Sequence, residues 1–117
     1  MMQRLVVLSL LSALCAAPAY ADERGDARQQ VEFGIAVAQK GLWREAIFRW
    51  QRATEIDPTY AQAFNNLAIG YEHEGDLTKA REAYEKALRL EPNNPLIKQN
   101  HEMFKEINDR SGRKDGR

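Results

Sequence analysis

Small and aromatic residues recur in this sequence at a fixed spacing of 34 residues, and this repeat limits the possible folds more than any other feature. The matched pairs are Gly41 and Gly75, Ala46 and Ala80, Trp50 and Tyr84, Ala53 and Ala87, and Pro58 and Pro92. The chain has 117 residues, so it has room for two periods and a short remainder. Consecutive units of this kind bury their apolar faces on one another, and the repeat therefore predicts a stack without a single central core.

Each period has apolar residues at helical spacing in both of its halves, which predicts a pair of helices. Gly75 is expected to end the first helix of the second pair, because a positive φ is easily adopted only by glycine. Asp76 can then cap the next helix, and Pro92 stops that helix from continuing. Asn94 followed by Pro95 predicts the start of a fifth helix.

Residues 1–21 have the pattern of a secretory signal peptide, with a basic start at Arg4, an uncharged run over 5–17, and small residues at Ala19 and Ala21. Cleavage after Ala21 is expected, which would place the protein in the periplasm or outside the cell, with no stable membrane span. A retained anchor and an ordinary N-terminal helix are the alternatives, although the run is shorter than the roughly 20 residues of a membrane span. A lipoprotein modified at Cys15 is disfavoured, because Leu14 stands where such signals have a small residue.

The second period resembles a tetratricopeptide repeat (TPR). The residues that carry the resemblance are Phe64, Leu67, Ala68, Tyr71, Gly75, Ala80, Tyr84, Ala87 and Pro92. The first period resembles the same repeat more loosely, since Gln30 and Val37 stand where a large apolar residue and an aromatic residue are usual. The resemblance implies an all-α fold, an α-solenoid of two TPR helix pairs plus a C-terminal capping helix.

The predicted boundaries follow from the repeat and from its flanking composition. A polar leader over 22–27 precedes a TPR domain over 28–108, and a flexible polar tail covers 109–117. Within the domain, repeat 1 covers about 27–60, repeat 2 covers 61–94, and the capping helix covers 95–108.

The family resemblance also implies a concave groove, lined by the first helix of each pair, that binds a peptide or a helix of a partner. The residues expected in this groove are Arg28, Val31, Ile35, Gln39, Gln62, Asn65, Asn66, Ile69, His73 and Gln99. Side-chain amides such as that of Asn66 can both donate and accept hydrogen bonds from an extended backbone. The alternative for Asn65 and Asn66 is that they are solvated amides on a helix surface.

Several functional classes are disfavoured by the sequence. The 17 Lys+Arg residues balance 17 Asp+Glu residues, whereas binding to phosphates needs a basic excess or a basic stripe, so we expect no nucleic-acid partner. The two histidines, His73 and His101, have no acidic or cysteine partner at ligand spacing, so no metal site is expected. No nucleophile stands in a recognisable catalytic arrangement, so we expect neither enzymatic activity nor a cofactor.

The leading hypothesis is therefore an exported protein-interaction scaffold that holds a partner segment in its groove and assists assembly of an envelope complex. The second hypothesis is a self-associating structural component that forms homo-oligomers through the ends of its array. This alternative stays open because repeat arrays usually need about three repeats for independent stability.

Overall fold

The computed structural model describes residues 20–114, and these form five α-helices. The helices are α1 (Tyr20–Gln39), α2 (Trp43–Ile56), α3 (Ala61–Glu74), α4 (Leu77–Leu90) and α5 (Pro95–Lys114). Each helix packs against the next, and α3 also lies against α1 and α5. This arrangement confirms an all-α solenoid of two helix pairs followed by a fifth helix. Among the described residues, no helix is long and apolar enough to cross a membrane.

The turns within the two helix pairs are equivalent. Gly41 and Gly75 follow α1 and α3 with φ values of 79° and 76°, a conformation that glycine adopts without steric cost. Asp76 Oδ1 accepts a hydrogen bond from the backbone N–H of Lys79 at 3.1 Å and so caps α4. Asn94 caps α5 in the same way, as the sequence predicts.

The first helix pair is built around the buried indole of Trp50, which lies between glycines on the two neighbouring helices. A Cβ atom at Gly34 of α1 would overlap the indole nitrogen and lie 2.7 Å from Cδ1, and a Cβ at Gly70 of α3 would lie 3.1 Å from Cζ3. Trp50 Nε1 also donates a hydrogen bond to the carbonyl oxygen of Val31 at 3.2 Å. The missing side chains of the two glycines therefore make the space that this large ring fills.

The second helix pair has a smaller aromatic ring, that of Tyr84, at the equivalent core position. Tyr84, the equivalent of Trp50, packs beside Ala68, the equivalent of Gly34, and its ring centroid lies 5.4 Å from that of Phe104 in α5. The Tyr84 hydroxyl donates to Glu72 Oε2 at 2.5 Å. Burial, with a further contribution from the Glu72 carboxylate, raises the pKa of Tyr84 above its usual range. Phe104 joins α5 to this cluster, so α5 covers the end of the core.

The first helix begins earlier than the sequence analysis predicts. Residues 22–27, predicted as a polar leader, belong to α1, which starts at Tyr20. The reason is that Arg24, Ala27 and Val31 share one face of the helix, where Ala27 is fully buried and Arg24 binds Asp57 of the loop between α2 and α3. The predicted signal peptide falls largely on residues 1–19, which lie outside the described residues, and its cleavage after Ala21 stays a prediction.

The last helix is also longer than predicted. It continues to Lys114, so most of the predicted tail over 109–117 is helical, and residues 115–117 lie outside the described part of the chain. Arg110 pairs with Glu106 one turn earlier, and the Ser111 hydroxyl donates to the carbonyl oxygen of Ile107 at 3.1 Å. Such contacts between i and i+4 positions stabilise a polar helix whose composition alone is typical of a tail.

Candidate functional site: the face of the first helices

Helices α1, α3 and α5 lie side by side and share one face of the stack, which we call the first-helix face. α3 is tied to α5 by a hydrogen bond from Asn100 Nδ2 to Asn65 Oδ1 at 3.2 Å. Equivalent positions on the three helices are 34 residues apart, so Ile35, Ile69 and Met103 occupy the same position on successive helices. This register places a row of apolar side chains across the face.

The ten residues predicted for the groove differ in their accessibility. Those with exposed side chains are Arg28, Gln39, Gln62, His73 and Gln99. Ile35, Asn66 and Ile69 are half-buried, and both isoleucines pack against the core beneath them. An exposed polar rim over half-buried isoleucines is what a groove with an apolar floor requires.

Val31 is a correction to the predicted groove. It is only 1% exposed and belongs to the core cluster around Trp50. The prediction was wrong because the face of α1 that lines the groove and the face that packs on α2 are adjacent on the helix, and the indole extends under Val31. The side chain of Val31 therefore supports the fold and is not available to a partner.

His73 and Trp43 form a stacked pair at one end of the face. Their ring centroids are 3.5 Å apart and the planes differ by 9°. Trp43 is half-buried and packs against the core cluster of the first helix pair. The stack fixes the ring of His73, whose outer surface stays exposed.

Three apolar residues of α5 belong to the face and were missed by the sequence analysis. Leu96, Met103 and Ile107 are 57%, 51% and 61% exposed. They follow Gln62, Ile69 and His73 by 34 residues each, so the repeat spacing that defines the fold could have found them. Only Gln99 of α5 was predicted in the groove, because α5 was predicted as a capping helix.

A cavity of about 380 Å³ opens at the end of the face where α3 and α5 begin. Its apolar wall consists of Tyr60, Ala61, Leu96 and Ile97. Its polar lining consists of Arg24, Thr59, Gln62, Asn65, Glu91 and Asn94. The cavity therefore combines an apolar wall with a polar rim at one end of the first-helix face.

Arg24 is held in the cavity wall by the loop between α2 and α3. Its Nε donates to Asp57 Oδ2 at 2.5 Å, and its guanidinium carbon lies 4.6 Å from the ring centroid of Tyr60. Burial opposes ionisation of Asp57, but hydrogen bonds from Thr59 and Arg24 outweigh it and lower the pKa of the Asp57 carboxyl. The Arg24 charge is consequently balanced within the wall.

Two buried side-chain polar atoms have no hydrogen-bond partner among the described residues, namely Gln30 Oε1 and Asn66 Nδ2. Leaving a buried donor unpaired costs about 1–3 kcal/mol, and Asn66 Nδ2 is not exposed to solvent in this structure. Asn66 is the one of the two that the sequence analysis places in the groove. Among residues 20–114, which the structure describes, no group of three His, Cys, Asp or Glu residues could hold a metal ion.

Comparison with known proteins supports the assignment of the repeat. The family model described as tetratricopeptide repeat matches residues 61–94. The tetratricopeptide repeat domain-containing protein PYG7, chloroplastic, of Arabidopsis thaliana is 26% identical over 85 residues, which are 73% of this chain and 28% of that protein. The type IV pilus assembly protein PilF of Pseudomonas aeruginosa is 32% identical over 83 residues, which are 71% of this chain and 32% of that protein.

A third relative is the probable UDP-N-acetylglucosamine--peptide N-acetylglucosaminyltransferase SPINDLY of Solanum lycopersicum. It is 37% identical over 59 residues, which are 50% of this chain and 6% of that protein. The chain thus spans less than a third of the length of each of these relatives. The helix pairs at a 34-residue spacing, the family match and the relatives agree, and the chain is a tetratricopeptide-repeat protein.

Proposed function

We propose that this protein is an exported scaffold that holds an apolar segment of a partner protein on the first-helix face. The observation that supports this most directly is the row formed by Ile35, Ile69 and Met103, together with the exposed Leu96 and Ile107 of α5. A contiguous apolar strip of this kind, bordered by polar side chains, is typical of a protein-binding surface. Affinity comes from burying the strip, and amides at its edge fix the register of the partner.

Export and a role in assembling an envelope complex are part of the same proposal. Export is supported by the basic start, the apolar run and the small residues of 1–21. A role in envelope assembly is supported by the similarity to a protein named for type IV pilus assembly, which covers 71% of this chain. N-terminal sequencing of the protein recovered from an envelope fraction should begin at Asp22, and a sequence that begins at Met1 would contradict the cleaved signal.

The groove hypothesis is tested by capturing partners from an envelope extract with the wild type and two variants. Met103→Glu puts a charge where the apolar row meets the exposed Leu96 and Ile107 of α5, and it should weaken recovery of a specific partner by tenfold or more, since an anchor residue contributes about 2 kcal/mol. Leu77→Glu is the matched control, because Leu77 is similarly exposed but begins α4, which does not contribute to the face. Equal recovery by all three proteins would refute the proposed function.

Self-association is the second candidate, and the exposure of Phe33 favours it. Phe33 precedes Leu67 by 34 residues, and Leu67 is buried against the first helix pair. On the equivalent surface of the first pair, Phe33 is 48% exposed and the Arg49 guanidinium carbon lies 4.3 Å from its ring centroid. If a second copy binds there, light scattering should show a dimer that Phe33→Glu converts to a monomer, whereas a monomeric wild type at micromolar concentration excludes this candidate.

A further inference from the structure

We propose that the cavity between the starts of α3 and α5 is an anchor pocket for one tyrosine side chain of the partner segment. This inference rests on the proposed function, because the tyrosine is carried by the segment that lies on the first-helix face. It adds a chemical requirement on the partner that the apolar row alone does not impose.

The size of the cavity favours one bulky side chain. Its volume of about 380 Å³ lies near the lower end of the roughly 300–1,000 Å³ that small-ligand sites occupy. The pocket opens beside Leu96, which is 57% exposed and belongs to the same apolar strip as Met103. A segment bound along α5 therefore brings its end to the mouth of the pocket.

The charges in the lining disfavour an anionic occupant. Arg24 is paired with Asp57 and Thr59, so its positive charge is already balanced. Glu91 is the acidic group in the lining, and its Oε2 accepts a hydrogen bond from Asn94 Nδ2 at 3.4 Å. A carboxylate would lose hydration there and would meet the negative charge of Glu91, so the lining disfavours an acidic side chain.

The polar tip of the occupant is defined by Asn65. This residue is 2% exposed, lines the cavity, and uses its Oδ1 to accept the hydrogen bond from Asn100. The bond with Asn100 leaves the donor half of the Asn65 amide for a ligand, which must then supply an acceptor. A tyrosine hydroxyl can accept this bond, whereas a tryptophan indole only donates and a phenylalanine ring does neither.

The side walls complete the match to an aromatic ring. Tyr60 presents a buried ring whose centroid lies 4.6 Å from the guanidinium carbon of Arg24, and Ile97 is also buried. Aromatic pairs contribute about 0.5–1.5 kcal/mol beyond the area that they bury. Rigid walls of this kind discriminate between occupants better than mobile surface side chains do.

The test is an NMR titration of the ¹⁵N-labelled full chain with single-residue probes. N-acetyl-L-tyrosinamide should shift the side-chain amide of Asn65 and the backbone amide of Leu96, and bind roughly threefold to tenfold more tightly than N-acetyl-L-phenylalaninamide. That ratio corresponds to one hydrogen bond of about 0.5–1.5 kcal/mol. Equal binding of the two probes, or shifts confined to other residues, would overturn the proposal.

A pair of matched variants locates the binding. Leu96→Glu places a charge at the mouth and should weaken binding of N-acetyl-L-tyrosinamide by about fivefold or more, since its apolar contact is lost. Leu77→Glu, at an exposed leucine that begins α4 and does not line the cavity, should leave probe binding unchanged. If both variants weaken the probe equally, or neither does, the probe binds elsewhere and the pocket is refuted.

The outcomes separate this inference from the groove function. If Met103→Glu abolishes partner capture while the tyrosine probe fails to bind, the pocket is wrong and the groove stands. If the probe binds as expected while Met103→Glu captures the partner normally, the groove function is wrong and the partner cannot be the source of the tyrosine. If removal of residues 1–19 shifts the Asn65 amide, the chain's own N-terminal segment fills the cavity and the proposal fails.

Discussion

The contact between Gly34 and Trp50 leads to a quantitative prediction about how the first helix pair is held together. Replacing Gly34 by alanine adds one methyl group in the middle of α1, which by helix propensity alone would stabilise the protein by about 0.8–1 kcal/mol. The new Cβ would overlap the indole nitrogen of Trp50 and lie 2.7 Å from Cδ1, so the ring must move. The ring has little room to move away from α1, because Gly70 lies close on its opposite side. Even a Cβ added at Gly70 would lie 3.1 Å from Cζ3 of Trp50.

Overpacking of this kind costs about 1–3 kcal/mol, so after subtraction of the propensity gain we expect Gly34→Ala to lower the free energy of unfolding by up to about 2 kcal/mol. The matched control is Gly25→Ala in the same helix, where a Cβ would meet no atom within 4 Å. The control should stabilise the protein by about 0.5–1 kcal/mol. Urea unfolding of the full chain followed by far-UV circular dichroism measures both variants without relying on tryptophan fluorescence.

A double variant shows whether the indole is the cause. Trp50→Phe alone should destabilise the protein, because it leaves a space beside Gly34 and removes the hydrogen bond to Val31. Adding Gly34→Ala should then be neutral or stabilising, so the two changes together cost less than the sum of their separate effects by about 1–2 kcal/mol. If Gly34→Ala behaves like Gly25→Ala, or if the two changes are additive, the steric argument is refuted.

Three further predictions concern single contacts, and each is measured by urea unfolding of the full chain. The lowered pKa of Asp57 means that the fold favours its ionised form, so this stability is present above the ordinary value of 3.8 and is lost as the pH falls through the folded-state pKa. Asp57→Asn should therefore cost about 1–2 kcal/mol at pH 7, and a difference from wild type that does not shrink at pH 3 would contradict the assignment. Gly75→Ala should cost about 1 kcal/mol, because its φ of 76° disfavours a side chain although nothing lies within 4 Å; a neutral effect would contradict this. Tyr84→Phe should cost about 1–3 kcal/mol by leaving Glu72 without its 2.5 Å hydrogen bond, and an unchanged midpoint would show that water replaces the hydroxyl.

The sequence predicts the helix pairs because the repeat spacing reports on local geometry and on packing together. Gly41 and Gly75 mark equivalent turns, and Asp76 and Asn94 cap the helices that follow them. These signals depend on residues close in the chain or on an exact offset. The packing of Trp50 was not predictable to the same degree, because it depends on Gly70, which lies 20 residues away on a helix of the next pair.

The ends of the domain were harder to predict for a different reason. Residues 22–27 look like a solvated leader by composition, since charge dominates them and only Ala27 is small and apolar. Their helical structure depends on a contact between Arg24 and Asp57, which are 33 residues apart. An ion pair between residues so far apart produces no periodic pattern in a single sequence. The start of α1, predicted from the pattern of hydropathy, was therefore placed too late.

The fifth helix shows why a structural role and a binding role need not exclude each other. The buried residues Ile97 and Phe104 hold α5 against the core, and they are seven residues apart, about two helical turns. Leu96 and Met103 repeat the same interval one position earlier, which rotates them by about 100° onto the first-helix face. A helix that only capped the array would have polar residues at these two positions. Lys98 and Lys105 are exposed polar residues of this kind elsewhere on α5. The exposed apolar strip of α5 therefore needs a separate explanation, and a bound partner segment provides it without any change in the packing of the core.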